Sequence, residues 1–274
     1  MNRAARVALA EETLAIIDRG TYADEFGATV SIRDAVTEAV ASARLYRDAD
    51  FPTQMEVERR FAATAFELTG ETTLQAAERL VGEGAKDLFA LNFASAKNPG
   101  GGFLNGSQAQ EESLARASAL YPTQMAQFEL YEHNRARSTC LYSDWMLYSP
   151  GVPVFRRDDG HLLATPYMVS FLTAPAVNAG AVWQNEPDRA NLIDATNRER
   201  ARKLMWVANR HGHSVLVLGA WGCGVFRNDA GAIAQMFHDL LSGEFAGCFS
   251  RVVMAVYDAT RDQQVRGAFA PYFD

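Results

Sequence analysis

The sequence predicts an α/β layer fold built on a mostly parallel or mixed sheet, and three observations predict it. From Leu88 onward, short apolar runs alternate with helix-periodic stretches, the pattern of strands covered by helices. Two of those runs, Leu88 to Phe93 and Ser214 to Leu218, each lead into a glycine-rich loop and then a helix signal. With 274 residues, 48% of them hydrophobic and 22% charged, the chain is that of an ordinary globular protein. A chain this long buries roughly 75% of its unfolded surface, so its core needs no disulfide or structural metal.

In chain order, apolar periodicity predicts a helix over Arg3 to Asp18, with Val7, Leu14 and Ile17 turned inward and Gly20 as its stop. A short strand, Thr29 to Ile32, leads to a helix from Asp34 to Arg44. Met55 to Leu68 fits neither period cleanly, because Phe61, Phe66 and Leu68 match no single face. Thr72 and Gln75 form a capping box for a helix from Thr73 to Val81. LFALNF reads as a buried strand, followed by the glycine-rich stretch Asn98 to Gly106 and a helix beginning near Gln110. Pro166 to Ala174 is a strand. Asn191 to Arg210 is a long helix with Leu192, Ala195, Leu204, Met205 and Ala208 on one face and Gly212 as its stop. The strand Ser214 to Leu218, a helix over Asp229 to Leu241 and a last strand Val252 to Tyr257 complete the series. Tyr148 to Gly160, with two prolines and the charged run Arg156 to Asp159, reads as a long exposed connection or hairpin. No repeat or linker divides the chain. It reads as one domain, 1–274, in which 1–70 is an N-terminal helical extension packed on the core.

Composition excludes several function classes. No apolar run approaches the roughly 20 residues that span a bilayer, and acidic residues interrupt the first segment where a secretory leader is apolar. Three cysteines, Cys140, Cys223 and Cys248, are too few and too far apart for a disulfide framework or a CxxC zinc site. A reducing, cytoplasmic compartment is expected. A net charge of −7 argues against a broad basic surface for nucleic acid. A polyanionic ligand remains compatible with it if backbone N–H groups and a few arginines hold the phosphates locally.

The two loops, NPGGGFLNGSQAQEE (Asn98 to Glu112) and GAWGCGVF (Gly219 to Phe226), supply that possibility. Glycine allows close backbone approach to a phosphate, and the helix that follows presents free N–H groups and a positive dipole end. Neither loop is a Walker A sequence or a clean GxGxxG with a later acidic residue, which disfavours a kinase or a Rossmann dehydrogenase. Glu111 and Glu112 are the most informative pair. On a helix they lie about 100° apart, so one points into a site while the other flanks it. Repulsion between them and a nearby pyrophosphate raise the inward carboxyl's pKa, the helix dipole lowers that of either, and a protonated Glu beside a glycosidic oxygen is a general acid. The bland alternative is that acidic residues simply favour helix N-termini.

Gly100 to Gly102, seven residues, and then Gln110 to Glu112 resemble the signature of poly(ADP-ribose) glycohydrolases, in particular the compact bacterial type. The likeness extends to LNFASAKNPGGG and GAWGCGVF and, more loosely, to ALAEETLAIIDRGTY. What the resemblance implies is a macrodomain-like three-layer α/β/α sandwich with a mixed central sheet, binding ADP-ribose across the strand ends. It implies hydrolysis of the ribose–ribose O-glycosidic bond of poly(ADP-ribose), mainly from chain ends, as in the reversal of ADP-ribosylation in a DNA damage response. Glu112 would protonate the departing 2′-oxygen and then accept a proton from water. Glu111 would hold hydroxyls of the flanking riboses, Asn98 a hydroxyl of the distal ribose, and Gln110 would join the substrate-binding set. Gly100, Gly101 and Gly102 would lie under ribose and pyrophosphate. Gly222, Cys223, Gly224 and Val225 would offer backbone donors to the phosphates, and Phe226 would pack on the ribose. The chemistry needs no metal or cofactor, and the expected partners are poly(ADP-ribose) or ADP-ribosylated proteins, met by a monomer.

Three other readings share the cleft or the loops: a non-catalytic ADP-ribose reader, a hydrolase of protein-linked mono-ADP-ribose, and a nucleotide-dependent redox or transferase enzyme. A reader has no need of Glu112. Among other residues, Cys223 reads as a packing residue rather than a nucleophile. His211 and His213 read as solvated or capping, and Asp48, Asp50 and Arg156 to Asp159 as exposed loop charges. Tyr257 and Asp258 read as a core-edge aromatic and a loop cap, with adenine stacking as the alternative. Of the four tryptophans only Trp221 is placed to neighbour a site.

Overall fold

Asn2 opens the first helix, α1 (Arg3–Arg19), by accepting the Ala5 N–H, and Gly20 ends it in the left-handed region at φ 71°. A two-stranded antiparallel ribbon comes next, β1 (Thr21–Ala23) and β2 (Thr29–Ser31), then α2 (Arg33–Ala41), β3 (Arg44–Tyr46) and β4 (Ala65–Thr69). The capping box at Thr72 and Gln75 is made in full and opens α3 (Thr73–Gly82). After it come β5 (Leu88–Phe93), α4 (Gln110–Ala117), α5 (Leu120–Ala126) and α6 (Glu129–Ala136). The long hairpin β6 (Met146–Arg156) and β7 (Leu162–Ala174) leads to α7 (Ala179–Asn185) and α8 (Ile193–Arg210). The chain ends with β8 (Val215–Leu218), α9 (Ala230–Ser242), β9 (Arg251–Ala255) and α10 (Gln264–Phe273). The computed structural model describes residues 1–274.

Seven strands form one sheet in the order β3-β6-β7-β5-β8-β9-β4. The five from β7 to β4 run parallel, and β6 and β3 are antiparallel to their neighbours. Alternation along the strands divides the core into two. Phe89, Leu91, Leu216 and Met254 pack with Leu204, Phe237 and Phe269 of α8, α9 and α10. Leu88, Ala90, Val217 and Val253 pack on the other face with Leu74, Ala77 and Leu80 of α3. Both faces are therefore covered, which is why the central strands are continuously apolar. The result is the expected three-layer α/β/α sandwich on a mixed sheet.

Several expectations are corrected. Residues 148–160, expected as a long exposed connection or hairpin, do belong to a hairpin, but its first strand, 146–156, is almost wholly buried and only the turn around Arg157 to Gly160 is a loop. Of the charges expected to be exposed, Arg156 is 2% exposed and pairs with Glu12 at 2.9 Å, whereas Arg157, Asp158 and Asp159 are exposed in the turn as expected. Residues 1–70, expected as an extension, contribute β3 and β4, the two outer strands of the sheet. The unperiodic stretch before β4 lacks regular structure because remote groups satisfy its backbone: Asn209 accepts the Glu58 N–H and Gly247 the N–H groups of Arg60 and Phe61.

For the site, the decisive property of this topology is that all five parallel strands exit on one edge, with β5 and β8 adjacent. Their loops, the two glycine-rich segments, therefore lie side by side. Arg200 of α8 ties two neighbouring segments to this edge. Fully buried, it donates to Asp144 at 3.0 Å, to the Pro175 carbonyl at 2.9 Å and to the Leu141 carbonyl at 2.9 Å. Replacing it by alanine strands these acceptors. Arg200→Ala is expected to lower stability by about 3–5 kcal/mol, read as a lower denaturant midpoint at an unchanged slope.

Candidate active site

The segment from Asn98 to Gly102 turns back on itself through Gly100 and Gly101, at φ 64° and 59°. A side chain at Gly101 is excluded by contact as well as conformation. A Cβ there would lie 2.4 Å from Glu112 Oε1 and 3.2 Å from Glu111 Oε2, so the two carboxyls converge on the same point of the loop. Glu112 is 9% exposed, and its Oε1 accepts the Gly102 N–H at 2.9 Å. No protein donor reaches its other oxygen.

Glu111 is held differently. It is 3% exposed, its Oε2 accepts the Ser95 N–H at 2.6 Å, and its Oε1 accepts from Asn92 at 3.1 Å and Gln124 at 3.0 Å. Burial nonetheless outweighs these donors and, with the charge of Glu112 beside it, pushes its pKa up to about 8. At neutral pH Glu111 is mostly a neutral acid. Thr173, opposite Asn92 across the β5–β7 ladder, accepts from the same Asn92 amide and completes a polar cluster inside the sheet.

Gln110 has no free end to offer a ligand. Its carbonyl accepts the Phe93 N–H at 2.9 Å, and its amide donates to Leu91 O at 2.7 Å and Thr73 Oγ1 at 3.0 Å. It fastens the start of α4 to the end of β5 and so sets where the two glutamates point. Asn98 is exposed at the loop's outer limb, where Arg135 of α6 donates to its Oδ1 at 3.4 Å and to the Lys97 carbonyl at 2.8 Å.

The second loop leaves a row of backbone donors open. The N–H groups of Gly222, Gly224, Val225 and Phe226 make no hydrogen bond within the protein, whereas that of Cys223 donates to Ala220 O at 3.1 Å. Cys223 thus drops out of the expected donor set. Burial also raises its thiol to about 12, so no thiolate forms at neutral pH. Beneath the loop Asn228 donates to Val177 O and Gly222 O and accepts from Asn197, a buried brace that fixes the row in place. Gly222 sits against Ala176 and Asn228 at φ 73°, a place only glycine fills. Val225 is 85% exposed, while Phe226 is half-buried with its ring 6.0 Å from that of Tyr142.

Trp221 is not a cleft residue: it is fully buried and donates to Ala174 O from under the loop. His211 is the C-cap residue of α8, as expected, whereas His213 is buried rather than solvated. His213 bonds Tyr148 and the Asp87 carbonyl, His211 bonds Tyr46 and stacks on Tyr148, and burial holds His211 down at about 4. Tyr257 is 66% exposed rather than at a core edge, and Asp258 caps the turn to α10 through Thr260 and Val265. Sequence reasoning missed Asn92, Ser95, Gln124, Asn197 and Asn228. Only Asn92 carried a signal, as the one polar residue inside LFALNF.

A carboxyl raised in the folded state stabilises the fold below its unfolded pKa, and that stability is lost as pH climbs through the folded value. Glu111 therefore makes stability fall between about pH 4.5 and 8. Denaturant midpoints measured at pH 5.5 and 8.5 are expected to show that decline, and Glu111→Gln to flatten it.

The family described as the microbial-type PARG catalytic domain matches residues 10–157. The crystal structure of poly(ADP-ribose) glycohydrolase from Thermomonospora curvata is 46% identical, covers 99% of this chain and 100% of its own, and superposes with a TM-score of 0.95. The same enzyme bound to the inhibitor ADP-HPD gives 0.93 at the same identity and coverage. The Deinococcus radiodurans enzyme in complex with ADP-ribose is 46% identical, with 87% of this chain and 97% of that one covered and a TM-score of 0.82. None of the curated proteins compared with the chain matches it. Matched by the family model over residues 10–157 and by these structures over nearly its whole length, the protein belongs to the microbial-type poly(ADP-ribose) glycohydrolase family.

Proposed function

We propose that the protein hydrolyses the ribose–ribose O-glycosidic bond of poly(ADP-ribose), acting mainly from chain ends and releasing ADP-ribose. The observation that carries this reading is the asymmetry of the two glutamates. Glu112 has one carboxyl oxygen fixed by Gly102 and the other free of protein donors, while Glu111 is enclosed by three donors. Glu112 is thus the group free to exchange a proton with a ligand.

In this reading the terminal ADP-ribose lies across the strand ends, its pyrophosphate on the open N–H groups of Gly222, Gly224, Val225 and Phe226. Backbone donors suit this ligand because oriented N–H dipoles stabilise phosphate oxygens locally even in a chain of net charge −7. Phe226 packs on the ribose, Asn98 meets a hydroxyl of the distal ribose, and Gly100 to Gly102 floor the site. As the glycosidic C–O bond breaks, Glu112 gives its proton to the leaving 2′-oxygen and the anomeric carbon takes on oxocarbenium character, stabilised by the nearby pyrophosphate. Water then adds to that carbon and returns a proton to Glu112, which serves as acid and afterwards as base. Glu111 holds the hydroxyls of the riboses flanking the bond. Gln110 is a positioning residue rather than a ligand.

The protein is taken to work as one domain, 1–274, as a monomer in a reducing cytoplasm. Three free thiols accord with that compartment. No helix is long and apolar enough to cross a membrane.

Purified wild type and Glu112→Gln, incubated with poly(ADP-ribose) and followed by chain length and free ADP-ribose, test the reading. Wild type is expected to release ADP-ribose, and the variant to lose about 10²–10⁴-fold in rate while binding ADP-ribose as before. Binding by both with cleavage by neither would identify a non-catalytic ADP-ribose binder, and absence of binding would sink the cleft assignment itself.

A further inference from the structure

On the flank of α4 away from β5, a cavity of about 220 Å³ opens between α1 and the turn that joins β6 to β7. Its wall carries Arg6, Arg116, Arg156 and Arg157 against one carboxylate, Asp158. Arg156 and Arg157 lean on Glu12 and Glu78 behind the wall. Arg6 and Arg116 bond only to uncharged oxygens: Arg6 to Gly106 O at 2.7 Å and Met1 O at 2.8 Å, Arg116 to Ser107 O at 2.8 Å and to Gln108. Arg116 is 6% exposed, a buried cation with no carboxylate hydrogen-bonded to it. Arg156 is 2% exposed, and its Nε is a buried donor with no partner. Even with Glu12 and Glu78 included, the cluster is positive. Such an arrangement fits a bidentate anion such as a phosphoryl group.

The cavity adjoins the cleavage site. Arg116 and Ser113 leave α4 at about 40° and 100° around the axis from Glu112, within one turn of it. The loop between them is shared: Gly102 N–H binds Glu112, and Ser107 O and Gln108 bind Arg116. We propose that this cavity is a phosphoryl-anion site which, during hydrolysis, takes the pyrophosphate of the ADP-ribose unit on the leaving side of the scissile bond. That unit's 2′-oxygen is the leaving group, and its own 5′-pyrophosphate lies one ribose away, so a polymer leaving Glu112 along this flank brings a dianion to the arginines. The polymer source rests on the function proposed above, and the anion chemistry does not.

The test is calorimetric titration with inorganic pyrophosphate while ADP-ribose saturates the main cleft, on wild type, Arg6→Gln and Arg157→Gln. Arg157 lies on the exposed rim, so its variant keeps the fold even if loss of the Arg6 bonds to Gly106 and Met1 disturbs α1. Wild type is expected to bind pyrophosphate, and both variants to bind it at least about tenfold more weakly with ADP-ribose affinity unchanged. Their KM for polymer should rise with kcat unchanged. Pyrophosphate failing to bind wild type, or binding Arg157→Gln equally well, overturns the site. Weakened pyrophosphate binding with an unchanged KM for polymer overturns the polymer as its source and leaves free phosphate anions. The titration needs no hydrolysis, so it reads independently of the glycohydrolase assignment.

Discussion

A carboxyl group buried at the junction of a strand and a helix sets the geometry of this protein. Glu111 draws in a backbone N–H from the segment after β5 and amide donors from β5 and α5, three pieces of chain that would otherwise be free to drift apart. Burying an acid costs free energy, and the cost is limited in two ways: three donors receive its oxygens, and neutralisation near neutral pH removes the charge. The reward is directional. Once Glu111 and Gln110 are fixed, the next residue on the helix has one place to go, against the reversed loop at Gly101 and Gly102.

The division of labour between the two glycine-rich loops comes from how each is braced. The first is closed by carboxylates and contributes acids. The second is closed from below by the Asn197–Asn228 pair and contributes unsatisfied N–H groups. Neighbouring residues have different fates within one loop, as Cys223 turns its N–H inward while Gly222 and Gly224 do not. Arg227 completes the turn at φ 58°, a conformation that a side chain adopts at a cost and that its surroundings impose.

Much of this was legible in the sequence where the signals were local. The capping box at Thr72 and Gln75, the stop at Gly20, the apolar run of β5 and the two glycine loops each depend on residues near one another in the chain, and each stands in the structure as read. What escaped depends on distant partners. The segment from Tyr148 read as an exposed connection or hairpin rather than a buried strand because Pro150, Gly151 and Pro153 punctuate it, and a register shift between Ser149 and Val152 lets the hairpin absorb them. The arginine at 156 looked solvated because its partner, Glu12, lies on the first helix. Gln110 looked like a ligand contact because a signature names residues without saying which way their bonds point.

The placement of the sheet's outer strands bears on biosynthesis. β4 is synthesised well before its partner β9, with Ala65 pairing opposite Arg251. One border of the sheet therefore stays open until the last strand has been made, and α10 then closes over β4 and α9. Long-range pairing of this kind is slow and leaves a strand edge bare in the interval. Nascent chains of this protein consequently depend on the segment from Arg251 onward to seal a border whose other half was synthesised long before it.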